Sequence, residues 1–223
     1  VQLLRTIGIT NTTVVGDTRF DRVLEICHQA KELPLVEKFK GNHTAFVAGS
    51  SWGPDEDIFI PYLNAHPEVK LIIAPHVIDE SHLKEIISKL NRTVVRYTQA
   101  TEEKVKEAEW LLIDCFGLLS SIYRYGEIAY IGGGFGVGIH NVLEAAVYGM
   151  PVIFGPNNKR FREAQGLLQC KGGFEIQGVE DFKKIMDNFL NNYEALDKAG
   201  KKAGNYVRDN AGALEKIMNT VTL

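Results

Sequence analysis

Between Tyr130 and Pro156 the chain reads YIGGGFGVGIHNVLEAAVYGMPVIFGP, a segment few folds accommodate. An apolar β-type run, Ile128–Ile131, breaks into Gly132, Gly133, Gly134, Gly136 and Gly138. A helical pattern begins at Asn141, stops at Gly149, and gives way to a second apolar run, Val152–Phe154. This is the βαβ arrangement in which a ligand phosphate sits on a helix N-terminus. Glycines let the backbone approach the ligand closely and adopt positive φ. The spacing matches neither the dinucleotide fingerprint nor the phosphate loop ending in Gly-Lys-Ser/Thr. Glu144, one turn into the helix, is placed to accept hydrogen bonds from a ribose diol. With Asn141 as N-cap, the same Glu144 also spells a capping box, which needs no ligand. The local sequence leaves both roles open, and a purely steric reason for the glycines with them.

Composition narrows the function classes. At 223 residues, with 45% apolar and 24% charged side chains, the chain reads as ordinary soluble globular protein. A net charge of −3 argues against a nucleic-acid-binding surface, which carries a basic excess. Cys27, Cys115 and Cys170 are too few and too scattered for a disulfide framework or a zinc site; separately, no metal or cofactor is expected. The chain starts at Val1 rather than Met, which raises the expectation of a piece of a longer protein.

Apolar runs recur at Thr13–Val15, Ala45–Ala48, Leu71–Ala74, Thr93–Tyr97, Trp110–Ile113, Ile128–Ile131 and Val152–Phe154. Several are continuous, as expected of strands covered on both faces. Helical patterns lie between and after them, at Phe20–Ala30, Asp55–Ala65, Glu80–Leu90, Leu118–Tyr125, Val142–Tyr148, Phe161–Gln169 and Val179–Phe189. Tyr193–Arg208 and Ala211–Asn219 complete the series. Such alternation predicts an α/β fold with a Rossmann-like, doubly wound parallel sheet, in one domain spanning residues 1–223. The helices of about 191–219 are expected to dock less firmly on it, and to pack toward a further domain.

Ligands of such sheets collect outside the C-terminal strand ends. Those ends carry Gly49-Ser50-Ser51, Pro75-His76, Asp114–Gly117, His140-Asn141 and Gly155-Pro156-Asn157. Each has a structural alternative: Ser50 and Ser51 would cap the next helix, Pro75 would end a strand, and Asp114 would cap the helix after Phe116. Lys159, Arg160 and Arg162 form a basic cluster that would pair with an anion or solvate a helix start. No nucleophile elbow G-x-S-x-G is present, and His43, His76 and His140 lack metal-ligand spacing. The edge reads as a binding cleft rather than a complete catalytic constellation.

These blocks carry a family resemblance. Gly16-Asp17-Thr18-Arg19-Phe20-Asp21, Ala48-Gly49-Ser50, Ala74-Pro75-His76, Asp114–Gly117, Ile131-Gly132-Gly133 and Gly138–Glu144 keep a shared order and spacing from about Val14 to Phe161. Together they resemble the C-terminal half of the 3-deoxy-D-manno-octulosonic acid (Kdo) transferases of Gram-negative bacteria. Arg124-Tyr125-Gly126 and the Asp-Cys-Phe-Gly block suggest a Bacteroidetes-like branch.

The resemblance implies the donor-binding half of a GT-B glycosyltransferase, with CMP-Kdo as donor and a lipid A precursor as acceptor. It implies a place in lipopolysaccharide biosynthesis at the cytoplasmic face of the inner membrane, reached by peripheral association of the full-length protein. The family's CMP contacts carry over to Pro75 and His76, to Gly117, Leu118 and Leu119, and to Asn141, Val142, Leu143 and Glu144. Ser50, Ser51, His140 and Lys159 are expected to face the sugar or phosphate. The family usually has Arg at the position of His76, Glu at Leu118 and Pro at Val142. Its general base is a glutamate of the N-terminal domain, so no catalytic residue is assigned here and this chain alone is expected to be inactive. Two alternatives stay open: another GT-B enzyme (a UDP-sugar transferase or UDP-sugar 2-epimerase), and a nucleotide-binding module without chemistry.

Overall fold

The computed structural model describes residues 1–221. In chain order the first half comprises α1 (Gln2–Thr6), α2 (Thr18–His28), α3 (Pro34–Lys40), β1 (Thr44–Ser51), α4 (Gly53–Asn64), β2 (Val69–Pro75), α5 (Glu80–Lys89), β3 (Val94–Arg96) and α6 (Glu102–Glu107). The second half runs β4 (Trp110–Leu112), α7 (Leu119–Ile122), β5 (Ile128–Ile131), α8 (Leu143–Ala146), β6 (Val152–Phe154), α9 (Arg162–Cys170), β7 (Gly173–Glu175), α10 (Val179–Asn191), α11 (Tyr193–Asp209) and α12 (Ala213–Thr220). The seven strands pair in the order β3-β4-β2-β1-β5-β6-β7, every pair parallel.

The continuous apolar runs form strands because both faces of the sheet are covered. Along β1, Ala45 and Val47 enter one core while Phe46 and Ala48 enter the other. Along β5, Ala129 and Ile131 face the first core, and Ile128 and Tyr130 face the second. Phe46 packs edge-on against Phe182 of α10, with ring centroids 5.7 Å apart. Each fully buried aromatic of this kind contributes about 1.5–3 kcal/mol by leaving water.

Two expectations change. Thr13–Val15 is irregular rather than a strand: no neighbour pairs with it, and Val14 is 74% exposed. The helix expected over Val142–Tyr148 shrinks to the single turn α8, after which the chain turns to reach β6 through Gly149. The C-terminal helices are seated on this domain. In α11, Leu196, Ala199, Gly200, Ala203, Gly204 and Val207 are buried. A Cβ at Gly200 would lie 2.2 Å from the Gly149 carbonyl oxygen, so the close crossing requires glycine there. Asp21 then ties α12 to α2, accepting the backbone N–H groups of Gly212 and Ala213 at 2.8 and 3.1 Å.

Candidate functional site

Chain connectivity reverses direction between β1 and its neighbour β5, because β1 runs on to β2 on one side while β5 continues to β6 on the other. This is the switch point at which open parallel sheets hold ligands. The loops leaving β1 and β5 come very close there. A Cβ on Gly132 would lie 2.2 Å from the Ser50 carbonyl oxygen, so only glycine fits. Ser50 itself adopts a φ of 52°, the left-handed region that L-residues seldom occupy and that concentrates at ligand sites.

A cleft of about 230 Å³ opens beside these loops, lined by Ser50, Pro75, His76, Cys115, Phe116, Gly117 and Leu119 among others. Two of the three blocks implied by the resemblance, Pro75-His76 and the Gly117 loop, therefore meet across one cavity. The Gly117 loop is held from below by Asp114, which accepts from Thr98 N at 2.9 Å, Thr98 Oγ1 at 2.5 Å and Arg96 Nε at 3.0 Å. Burial works against its charge, yet these bonds hold its carboxyl below the usual range. Asp114 thus reaches back to Thr98 and does not cap the following helix.

His76 leads to the third block. Its ring stacks against both Trp52 and His140, with centroids 4.6 and 4.4 Å apart. Beyond His140, Asn141 accepts the Leu143 N–H at 3.1 Å and donates its amide to Glu144 Oε1 at 2.9 Å. Glu144 therefore receives a side-chain donor and makes no capping box. Its carboxylate is half-buried, and burial pushes its pKa up. Val142 and Leu143 are fully buried, so their side chains belong to the core and leave only backbone for a ligand. Leu118 likewise packs onto the core.

Ser51 is a correction. Its side chain is fully buried, and its hydroxyl donates to Glu56 Oε1 at 2.9 Å, so it faces the sheet interior rather than a sugar. Lys159 is exposed on the turn after β6. Its neighbour Arg160 donates to the Val137 carbonyl and lies over the Phe161 ring. Arg162 opens α9, where the buried Glu163 is gripped by Arg19 at 2.7 and 3.0 Å, which gives the Asp17-Thr18-Arg19 block a structural role as a latch.

Two further acidic residues escaped sequence reasoning. Asp55 is buried and accepts from Tyr130 Oη, Gly133 N and Trp52 N at 2.9, 2.9 and 3.0 Å. Desolvation raises its pKa despite those three donors. Glu56, equally buried, receives Ser51 and pairs with His82 Nε2 at 3.0 Å. The Asp-Glu pair opening α4 was the available signal. Among the described residues no cluster of His, Cys, Asp and Glu fits a metal ion, and no helix is long and apolar enough to cross a membrane.

No family model matches the chain. A 3-deoxy-D-manno-octulosonic acid transferase of Rickettsia bellii is 26% identical over 230 residues, covering 100% of this chain and 54% of the relative. One from Aquifex aeolicus is 30% identical over 196 residues, covering 85% of this chain and 51% of the relative. The chain thus spans about half the length of the curated relatives it matches. Among solved structures, the C-terminal CMP-Kdo binding domain of WaaA from Acinetobacter baumannii superposes with a TM-score of 0.67 at 20% identity, covering 85% of this chain and 97% of that one. By sequence the chain is a relative of the 3-deoxy-D-manno-octulosonic acid transferases, and it carries the fold of their C-terminal, GT-B half.

Proposed function

We propose that this domain binds CMP-Kdo and serves as the donor-binding half of a transferase that delivers Kdo to a lipid A precursor in lipopolysaccharide biosynthesis. The observation that carries the reading is the convergence of Pro75-His76 and Gly117-Leu119 on one cleft, with His140 and the Asn141–Glu144 turn joined to it through the ring stack. The relatives' activity and the neighbouring WaaA domain support the choice of donor.

In this reading the Glu144 carboxylate accepts from the ribose hydroxyls. His140 and the backbone N–H groups of Asn141 and Val142 donate to the phosphate, stabilising it as it leaves with the charge of the broken glycosidic bond. Pro75 and Leu119 offer apolar contact to the base, and His76 stands where a charge near the phosphate is expected. The acceptor and the catalytic base come from outside this chain, at the inner face of the bacterial inner membrane.

Titrating the domain with CMP, UDP, UMP and AMP while following thermal unfolding tests the reading. Saturation to about 100 times Kd stabilises a domain by ~2.7 kcal/mol, a rise of roughly 5–10 °C at this size. CMP is expected to give the largest shift. A larger shift with UDP would favour a UDP-sugar enzyme, and no shift with any nucleotide at millimolar concentration would remove the nucleotide reading altogether.

A further inference from the structure

Trp52 lies in the loop after β1, His76 after β2 and His140 after β5, so three separate strand ends contribute one ring each to a single cluster. The indole Nε1 of Trp52 stands 3.2 Å from Nε2 of His140. An indole N–H only donates, so His140 Nε2 is the acceptor and carries no proton. The ring proton of the neutral imidazole then resides on Nδ1. Among the described residues Nδ1 of His140 has no protein partner, and it is not one of the buried atoms left without one. It therefore reaches solvent with its hydrogen unspent.

We propose that Trp52 is a positioning residue of the nucleotide cleft, holding His140 as the neutral Nδ1–H tautomer so that it offers a hydrogen-bond donor, and no charge, to an oxygen of the phosphate or sugar. The inference rests on the nucleotide-sugar reading of the cleft given above. Its own content is the role of Trp52 and the protonation state of His140.

Protonating His140 at Nε2 would set N–H against N–H and break the bond to Trp52. It would also place a cation against the stacked ring of His76. Burial and His76 both act in that direction, keeping the His140 pKa below that of an ordinary imidazole. The titratable group facing His140 is His76, and no carboxylate pairs with it among the described residues. A neutral donor suits a site that must both bind and release an anionic nucleotide, because affinity does not then climb with falling pH.

The test combines nitrogen-15 NMR of the histidine rings with CMP titrations between pH 5.5 and 7.5, on the 223-residue chain and on Trp52→Phe. Phe keeps a ring to stack on His76 and removes only the N–H. In the parent chain His140 is expected as the Nδ1–H tautomer, and the variant's CMP affinity is read as a ratio to the parent's at each pH, because the CMP phosphate itself titrates near pH ~6. In Trp52→Phe the His140 midpoint is expected to rise, and CMP binding to gain about 3–10-fold at the acid end as a cation replaces a neutral donor. An Nε2–H tautomer in the parent chain, or a midpoint that Trp52→Phe leaves in place, would overturn the proposal. The parent measurement decides the matter even where the variant fails to fold. Absent CMP binding in a parent chain with the expected tautomer would count against the nucleotide reading and leave the Trp52–His140 relation standing.

Discussion

Asp55 in the first turn of α4 accepts the backbone N–H of Gly133 at 2.9 Å, so the glycine loop is tied to the opposite side of the switch point by a buried carboxylate. The same side chain holds Tyr130 Oη and Trp52 N, which makes it the junction of β5, the glycine loop and the loop bearing Trp52. Asp55→Ala would leave three donors without this partner. The expected loss is roughly 2–6 kcal/mol in urea unfolding, at ~1–3 kcal/mol for each of the two fully buried donors, Tyr130 Oη and Gly133 N, left unpaired. Asp55→Asn keeps one acceptor oxygen and should lose less than half as much. Equal losses for the two variants would mean that packing, not hydrogen bonding, is what Asp55 supplies.

Glu144→Gln is expected to weaken CMP binding by ~1–3 kcal/mol, since a charged acceptor for the ribose becomes a neutral one. Stability should move by no more than ~0.5 kcal/mol, because the carboxylate caps no backbone N–H and its bond from Asn141 is replaceable. Calorimetric titration and thermal unfolding of one preparation supply both quantities. A loss of stability with unchanged CMP affinity would return Glu144 to a structural role.

His76→Arg places a fixed charge where the family resemblance expects one. A guanidinium can keep the stacking contacts with Trp52 and His140, because it is planar. CMP affinity should rise at low salt, and the gain should shrink between 50 and 500 mM salt as the phosphate contact is screened. Affinity that stays flat at every salt concentration would put His76 away from the phosphate.

His82 carries a pH dependence of known sign. Its Nε2 faces Glu56 at 3.0 Å and its Nδ1 faces the Val77 carbonyl at 3.0 Å, so both nitrogens meet acceptors and the imidazolium is the form that satisfies both. Burial opposes that charge, yet the Glu56 carboxylate outweighs it and the pKa is raised above 6.5. A group raised on folding stabilises fully below its unfolded pKa, and the benefit is lost as pH climbs through the folded one. Relative to the parent, His82→Gln should therefore be destabilised at pH 6, by roughly 1.5–3 kcal/mol for a charged hydrogen-bonded pair, and much less so at pH 9. Parallel stability curves across that range would contradict the assignment.

The parallel sheet was legible because its strands are covered on both faces. Ala45–Ala48, Leu71–Ala74 and Ile128–Ile131 need no polar side, and so they stand out as unbroken apolar runs. The glycine loop was legible for a related reason, since the steric demand at Gly132 admits one residue type. Short elements were not. Only pairing with β6 makes Gly173–Glu175 a strand, and the lack of any partner keeps Thr13–Val15 from being one. The α3 and α6 helices, of 7 and 6 residues, are too brief for a period to show. At the site, three of the five strand-end loops read from the sequence line the cleft, and where their side chains turn was not legible. Ser51 and Ser50 are neighbours, yet the irregularity at Ser50, with its φ of 52°, leaves Ser51 inward on Glu56 while Ser50 lines the cavity. The bond between Trp52 and His140 joins residues 88 positions apart, and the grip of Arg19 on Glu163 spans 144. A local pattern records what each segment buries. Which groups meet across the switch point is decided when β1 and β5 come side by side, because hydrogen bonds of about 3 Å depend on distances in the folded sheet rather than along the chain.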